Sequence, residues 1–432
     1  MNLRKRLFQI KDKVLNNSLI LDHLEDLNSH YFDFDNPINK KLREERLLKI
    51  LNYAQENVPY YNKLLNLEIT SFPVVNKSII KENYSKFMSK EFEINDLKYV
   101  TTSGSTGTPF KSFRDIGKIS RHVADNIFFN NLAGADIGFK LYYFRVWNNI
   151  NKKNCFTRIS QNIETFDASN FSIDYIKQFV SEIEKDNQEK YFLSYASSYE
   201  AMAQVLKSMD ISRVNSKVNC ILSMSETLPN PVRDYLEEVF STKVVSRYSN
   251  MENGFIAQQC LEDKEEYHLN NASFFVEVLS LNGDFPAKEN EIGRIVVTDL
   301  FNYAMPFIRY DTGDLGVKSG SNCSCKSPVL SRVEGRKTDF IYATDGQMLS
   351  PHVITNTMWI FADVKQFQFI QKGQFEYLLK INSKDVIDKN KVYNEFKSFL
   401  GSDANIKIEY VSEIPLLSSG KRKKIVNEYK KV

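Results

Sequence analysis

The sequence predicts an α/β protein: a large N-terminal multi-layer α/β domain carrying a β-rich subdomain, then a small α+β C-terminal domain. Three observations predict it. At 432 residues the chain is longer than one hydrophobic core comfortably fills. From Lys98 to Ser249, short β-rich runs alternate with amphipathic helical stretches, the pattern of strands laid largely parallel beneath helices. After Arg336, about 95 residues of strand and helix patterns form a run long enough for one small module.

The elements follow in chain order. Residues 1–15, MNLRKRLFQIKDKVL, read as a basic amphipathic helix without the apolar stretch or cleavage site of a signal peptide. Residues 40–58 carry apolar side chains at helical spacing until Pro59 stops them, so 1–96 is expected to be a helical opening segment. Within 97–336, strands are expected near 98–102, 141–147, 191–195, 219–225 and 243–249, with helices near 118–132, 174–185, 198–209 and 231–240 between them. After Glu252 the chain turns strand-rich and turn-rich, with 273–280 and 293–300 as strands and a polar loop over 319–328. From 337 to 432, strands at 367–371, 376–382 and 406–412 flank a helix at 388–400.

Composition excludes several classes. Hydrophobic residues make up 42% and charged residues 26%, the balance of a globular chain rather than a disordered one. With 57 Lys+Arg against 54 Asp+Glu the net charge is only +3, too small to argue for nucleic acid. No stretch approaches the roughly 20 apolar residues of a membrane span, so a cytoplasmic protein is expected, with the first helix free to touch a membrane surface. Five cysteines without a secretory leader argue against a disulfide framework and leave free thiols or a metal site.

Several short motifs carry chemistry. Thr101-Thr102-Ser103-Gly104-Ser105-Thr106-Gly107-Thr108-Pro109 falls between a predicted strand and a predicted helix. Its glycines let backbone amides approach an anion and its hydroxyls add donors, as a phosphate cradle requires. No lysine follows Gly107, so it is not the P-loop pattern, and a plain polar turn fits the same composition. Farther on stand Tyr248-Ser249-Asn250-Met251-Glu252, then Tyr310-Asp311-Thr312-Gly313-Asp314, then Glu334-Gly335-Arg336, and Gly420-Lys421 near the C-terminus. Singly, each also reads as a turn, a solvated charge or a basic tail.

Together and in this order, the motifs resemble the adenylate-forming superfamily of acyl-CoA synthetases, its phenylacetate–CoA ligase branch, and within that branch the CapK-type proteins of capsular polysaccharide synthesis. The likeness spans essentially the whole chain, beginning with Tyr53-Ala54 and Val58-Pro59-Tyr60-Tyr61. It implies a large adenylation domain over 1–336 and a lid over 337–432, hinged at Lys337-Thr338-Asp339. It implies that Ser103, Gly104, Ser105, Thr106 and Gly107 hold the ATP phosphates, that Tyr248 stacks on adenine and that Glu252 helps hold Mg²⁺. Asp314 would accept from the ribose hydroxyls, Arg336 would lie near ribose and phosphate, and Glu226 would line the nucleotide or acyl pocket. Lys421 would be the lid's catalytic cation. Met251 stands where the superfamily usually has threonine, so one hydroxyl on the α-phosphate is missing. Thr338 stands where a charged hinge residue is common, which leaves the thioester step less secure than adenylation.

Cys260, His268, Cys323 and Cys325 form a Cys₃His set suited to structural Zn²⁺, although their spacing is not a CxxC pattern and free thiols fit it too. The resemblance implies a comparable cluster in related ligases. The expected function is ATP-dependent activation of a carboxylic acid to acyl-AMP, then acyl transfer to coenzyme A or to an amine in surface-polysaccharide synthesis. The alternative is a nucleotide-binding, catalytically silent assembly partner in the same pathway.

Overall fold

The computed structural model describes residues 2–102, 110–147, 152–168, 171–320, 323, 327–361, 364–383, 385–415 and 422–429. Two compact units divide the chain: Met1–Phe139 with Ser160–Asn162 and Val245–Val333, and Lys140–Ile159 with Ile163–Val244 and Glu334–Val432. The expected mixture of α/β layers, a β-rich part and a separate C-terminal sheet is present.

In the first unit the helices Leu3–Leu15, Leu19–Phe32 and Pro37–Asn57 open the chain. The third begins where Asn36 accepts from the Ile38 amide and Pro37 fills a position whose N–H would have no partner. It stops at Asn57 because Val58, preceding Pro59, is driven into extended conformation at φ −110° and ψ 112°. Helix Ile116–Leu132 is capped by Asp115, one carboxylate oxygen accepting from the Lys118 amide and the other from Tyr303 N–H at 2.7 Å. The strands of this unit run in the spatial order 274–279, 292–299, 310–319, 329–336, 267–269, 254–259, 243–250. The residue registers resolved among them are antiparallel. Their inner faces bury Ile256, Phe274, Ile295, Val297 and Leu330, while Tyr61, Phe72, Phe87, Phe110 and Phe307 build a second core.

One expectation is revised here. The Gly-rich segment leads into a strand, Phe110–Arg114, paired antiparallel with Lys98–Thr102, before helix Ile116–Leu132 begins. FKSFR lacks a helical apolar period and buries Phe110, Ser112, Phe113 and Arg114, so it lies as a paired strand.

In the second unit the strands Val218–Met224, Lys190–Tyr195, Lys140–Arg145 and Ile163–Asp167 are parallel, as the alternation with helices predicts. Helices Ile173–Lys185, Ala196–Ser208 and Asn230–Phe240 cover them, and Tyr142, Phe144, Phe179, Phe192, Tyr199 and Leu236 fill the space between. The C-terminal segment of this unit has its own sheet, ordered 405–410, 376–383, 364–371, 425–427. Helices Pro351–Met358 and Lys389–Leu400 supply its own core around Phe369, Leu379, Phe396 and Leu400. Trp359 packs onto the parallel-sheet core, and Lys424 forms an ion pair with the nine-tenths-buried Glu200.

Candidate active site

The strand Tyr310–Ser319 organises the polar groups of the first unit. Arg309, just before it, sits in the left-handed region at φ 48°. Its guanidinium holds Glu277 through two 3.1 Å bonds and donates to Phe72 O and Asp284 O, which fixes the strained backbone. Arg294 pairs with Leu315 and Val296 with Asp311, so Thr312, Gly313 and Asp314 stand opposite the single Ile295. The surplus forms a bulge, with Gly313 at φ 78° and Thr312 Oγ1 donating to Ile295 O. This bulge aims Asp314 at the hairpin of strands 243–250 and 254–259.

Tyr248 meets it there. Its phenol donates to Asp314 Oδ2 at 3.0 Å and lies 3.2 Å from Thr312 Oγ1. Burial, then the Asp314 charge, raises this phenol well above its ordinary value, so it stays protonated and donates. The chain turns tightly after Tyr248: the Asn253 amide donates to Asn250 Oδ1 and Gly254 has φ 103°. A Cβ on Gly254 would fall 2.6 Å from His122 Nδ1, so this turn requires glycine on both counts.

Glu252 sits on that turn, 7% exposed. Its Oε1 accepts from Lys77 Nζ at 3.2 Å and from the Tyr310 phenol at 3.3 Å, while Arg114 donates to Met251 O at 2.6 Å. Burial, then Glu252, raises the Tyr310 phenol well above its usual range, so it too remains a donor. Both donors reach Oε1; among the described residues Oε2 receives no hydrogen bond. A hard carboxylate oxygen that receives no hydrogen bond from the described residues has the donor chemistry of a Mg²⁺ ligand, an ion bound through one or two carboxylates together with substrate phosphates.

Sequence reasoning assigned no role to Lys77, Arg114 or Tyr310. Lys77 opens a short helix in a polar stretch and Arg114 closes a strand, so neither carries a local signature. Tyr310 was visible only as part of its motif.

A second cluster lies in the same unit. Ligand atoms of Cys260, His268 and Cys323 all fall within 4.8 Å of one another. Adjacent strands bring them together: His268 stands opposite both Gln258 and Val329. The Glu262 amide donates to Cys260 Sγ at 3.3 Å, a contact that supports a thiolate. Burial pushes the Cys260 thiol up and the His268 imidazole down, and a bound cation would reverse the first effect. Two sulfurs and an imidazole at this separation fit three corners of a Zn²⁺ tetrahedron with bonds of about 2.0–2.3 Å.

Ser103, Gly104, Ser105, Thr106, Gly107, Lys421 and Cys325 lie outside the described residues. In the second unit, Glu226 accepts from the Ser197 amide at 3.2 Å and so supplies a cap to helix Ala196–Ser208, which has no N-cap side-chain bond of its own. Arg336 is exposed at the end of its strand. Tyr142 is fully buried in the core, its hydroxyl donating to Asp186 Oδ2 at 2.9 Å. Met251 is half exposed, and only its carbonyl takes part in the site.

Residues 341–428 match the CapK C-terminal domain family. Protein CapK of Staphylococcus aureus is 24% identical over 415 residues, covering 90% of this chain and 89% of that protein. Phenylacetate-coenzyme A ligase of Thermus thermophilus is 21% identical over 331 residues, covering 68% and 70%. Among solved structures, 2-hydroxyisobutyryl-CoA ligase in its postadenylation state, bound to an acyl-AMP, superposes with a TM-score of 0.71 at 15% identity, over 91% of this chain and 90% of that one. The likeness read from the motifs is thus borne out in both sequence and fold.

Proposed function

We propose that this chain is an AMP-forming acid ligase: a carboxylate attacks the α-phosphorus of ATP, pyrophosphate leaves, and a nucleophile then attacks the acyl carbon of the resulting acyl-AMP, taking the acyl group and releasing AMP. The observation that carries the reading is the pairing of Tyr248 with Asp314, and of Glu252 with Tyr310, along one strand of one unit. The aromatic face of Tyr248 would receive adenine, and Asp314, held by the phenol, would offer acceptors to the vicinal ribose hydroxyls. Glu252 would hold Mg²⁺, which neutralises charge on the phosphates as the carboxylate attacks. Lys77 and Tyr310 orient the Glu252 carboxylate by donating to Oε1.

The hydroxyl-rich segment 103–107 would bind the leaving phosphates. A lid formed by 337–432, hinged at Lys337–Asp339, would bring Lys421 to the reacting groups and complete the site on closure. The acceptor is coenzyme A, supported by the likeness to a phenylacetate-coenzyme A ligase, or an amine of a surface-polysaccharide precursor. Zn²⁺ on Cys260, His268 and Cys323, with Cys325 as fourth ligand, would be structural.

Pyrophosphate–ATP exchange across a panel of aromatic, fatty and sugar acids tests the reading. Acid-dependent exchange is expected with at least one class. Measurable ATP binding without exchange for any acid would favour the silent assembly partner instead.

A further inference from the structure

We propose that helix Leu3–Leu15 docks this protein on an anionic membrane surface. The helix is fastened to its unit by one face. The buried Asp12 carboxylate accepts from the Ile20 and Leu21 amides at 3.1 and 3.0 Å, Lys5 pairs with Asp136 at 2.6 Å, and Phe8 packs against the core around Ile20 and Leu27. The opposite face is apolar and open to solvent. Leu3, Leu7, Ile10 and Val14 are 70%, 56%, 58% and 71% exposed.

At about 100° per residue these four fall within an arc of roughly 60°, directly across from Asp12 and Lys5. Arg4 and Lys11 lie on one flank of the stripe and Arg6 and Lys13 on the other, each near 90° from its centre. An apolar stripe with a cation row on each side suits a helix lying in the plane of a bilayer interface, its apolar side chains among acyl chains and its cations at anionic headgroups.

Charge decides between this occupant and a second copy of the chain. The stripe spacing of 4, 3 and 4 residues also matches a coiled-coil seam, whose flanking positions would then be Arg4, Arg6, Lys11 and Lys13. A self-pair would set cations against cations, with no acidic residue on either flank to answer them. At 13 residues the helix also falls short of the three heptads a coiled coil ordinarily needs. Among the described residues no helix is long and apolar enough to cross a membrane, so the contact is peripheral.

The test is co-sedimentation of the full chain with vesicles of phosphatidylcholine, with and without phosphatidylglycerol. Binding is expected with the anionic vesicles, reduced by salt, and lowered about tenfold or more in the Leu7→Gln/Ile10→Gln variant at an unchanged melting temperature. Arg6→Gln/Lys13→Gln is expected to weaken binding to the anionic vesicles selectively. Protein that stays in the supernatant, or a Leu7→Gln/Ile10→Gln variant that sediments like wild type, overturns the proposal. So does a dimer in light scattering that this variant dissolves while vesicles remain unbound. The helix lies outside the proposed nucleotide site, so loss of vesicle binding with ATP binding intact separates this inference from the ligase reading.

Discussion

Replacing Asp314 with alanine tests the nucleotide site at its most defined point. The side chain stands on a bulge, partly buried, with one oxygen held by the Tyr248 phenol at 3.0 Å. Tyr248 keeps Thr312 Oγ1 at 3.2 Å as a partner after the change, so the fold should be preserved. A hydrogen bond to a charged group contributes about 1.5–3 kcal/mol, and a carboxylate facing two ribose hydroxyls belongs at the upper end. About 3 kcal/mol corresponds to roughly 150-fold weaker ATP binding. Asp314→Asn retains an acceptor without the charge and should cost about tenfold. Tyr248→Phe removes only the orienting donor, worth about 1 kcal/mol, or roughly fivefold. Calorimetric titration with ATP and Mg²⁺ in the absence of any acid reads these differences directly, with thermal melts as the control for folding. An Asp314→Ala protein that melts normally and binds ATP as wild type does would refute the assignment.

Three other outcomes are expected. Lys421→Ala should slow acyl-AMP formation by about 100-fold, the scale of losing one preorganised electrostatic donor, and a wild-type rate of pyrophosphate exchange would contradict its role. The purified chain should carry about one equivalent of zinc, lost with a lowered melting temperature in Cys260→Ser; less than half an equivalent in the wild type would oppose the metal site. Burial, reinforced by nearby cations, lowers the His23 imidazole to about 4 and that of His122 to about 3. Both are therefore neutral in the folded protein but take up a proton on unfolding below about pH 6.5. Their contribution is full above that pH and declines as pH falls towards 4 and then 3, by an amount on the order of a few kcal/mol. Urea titrations at pH 7 and pH 4.5 check it, with His122→Gln expected to flatten the dependence and an unchanged slope contradicting it.

Much of the fold was legible because the signals were periodic. Parallel strands at Leu141, Phe192 and Ile221 alternate with helices of clear apolar spacing, and Pro59 marks a helix end through its effect on Val58. The strand Phe110–Arg114 was missed because it is short and precedes a strong helix without a breaker between them. The site was legible in part, since Tyr248, Glu252 and Asp314 occur in recognisable strings. Lys77 and Arg114 were not, because their partners at 251–252 are more than a hundred residues away and pairing over that distance leaves no local pattern. The bond from the Ser197 amide to Glu226 was likewise not legible, because its partners lie 29 residues apart. The exposed stripe on the first helix was readable as amphipathic, but only the structure shows that the polar side faces the protein.

The most direct measurement is a crystal structure of the chain with a non-hydrolysable ATP analogue and Mg²⁺. The ribose hydroxyls should sit on the Asp314 carboxylate with adenine against Tyr248 and the metal within reach of Glu252. A nucleotide bound elsewhere, with the phenol–carboxylate pair untouched, would contradict the account.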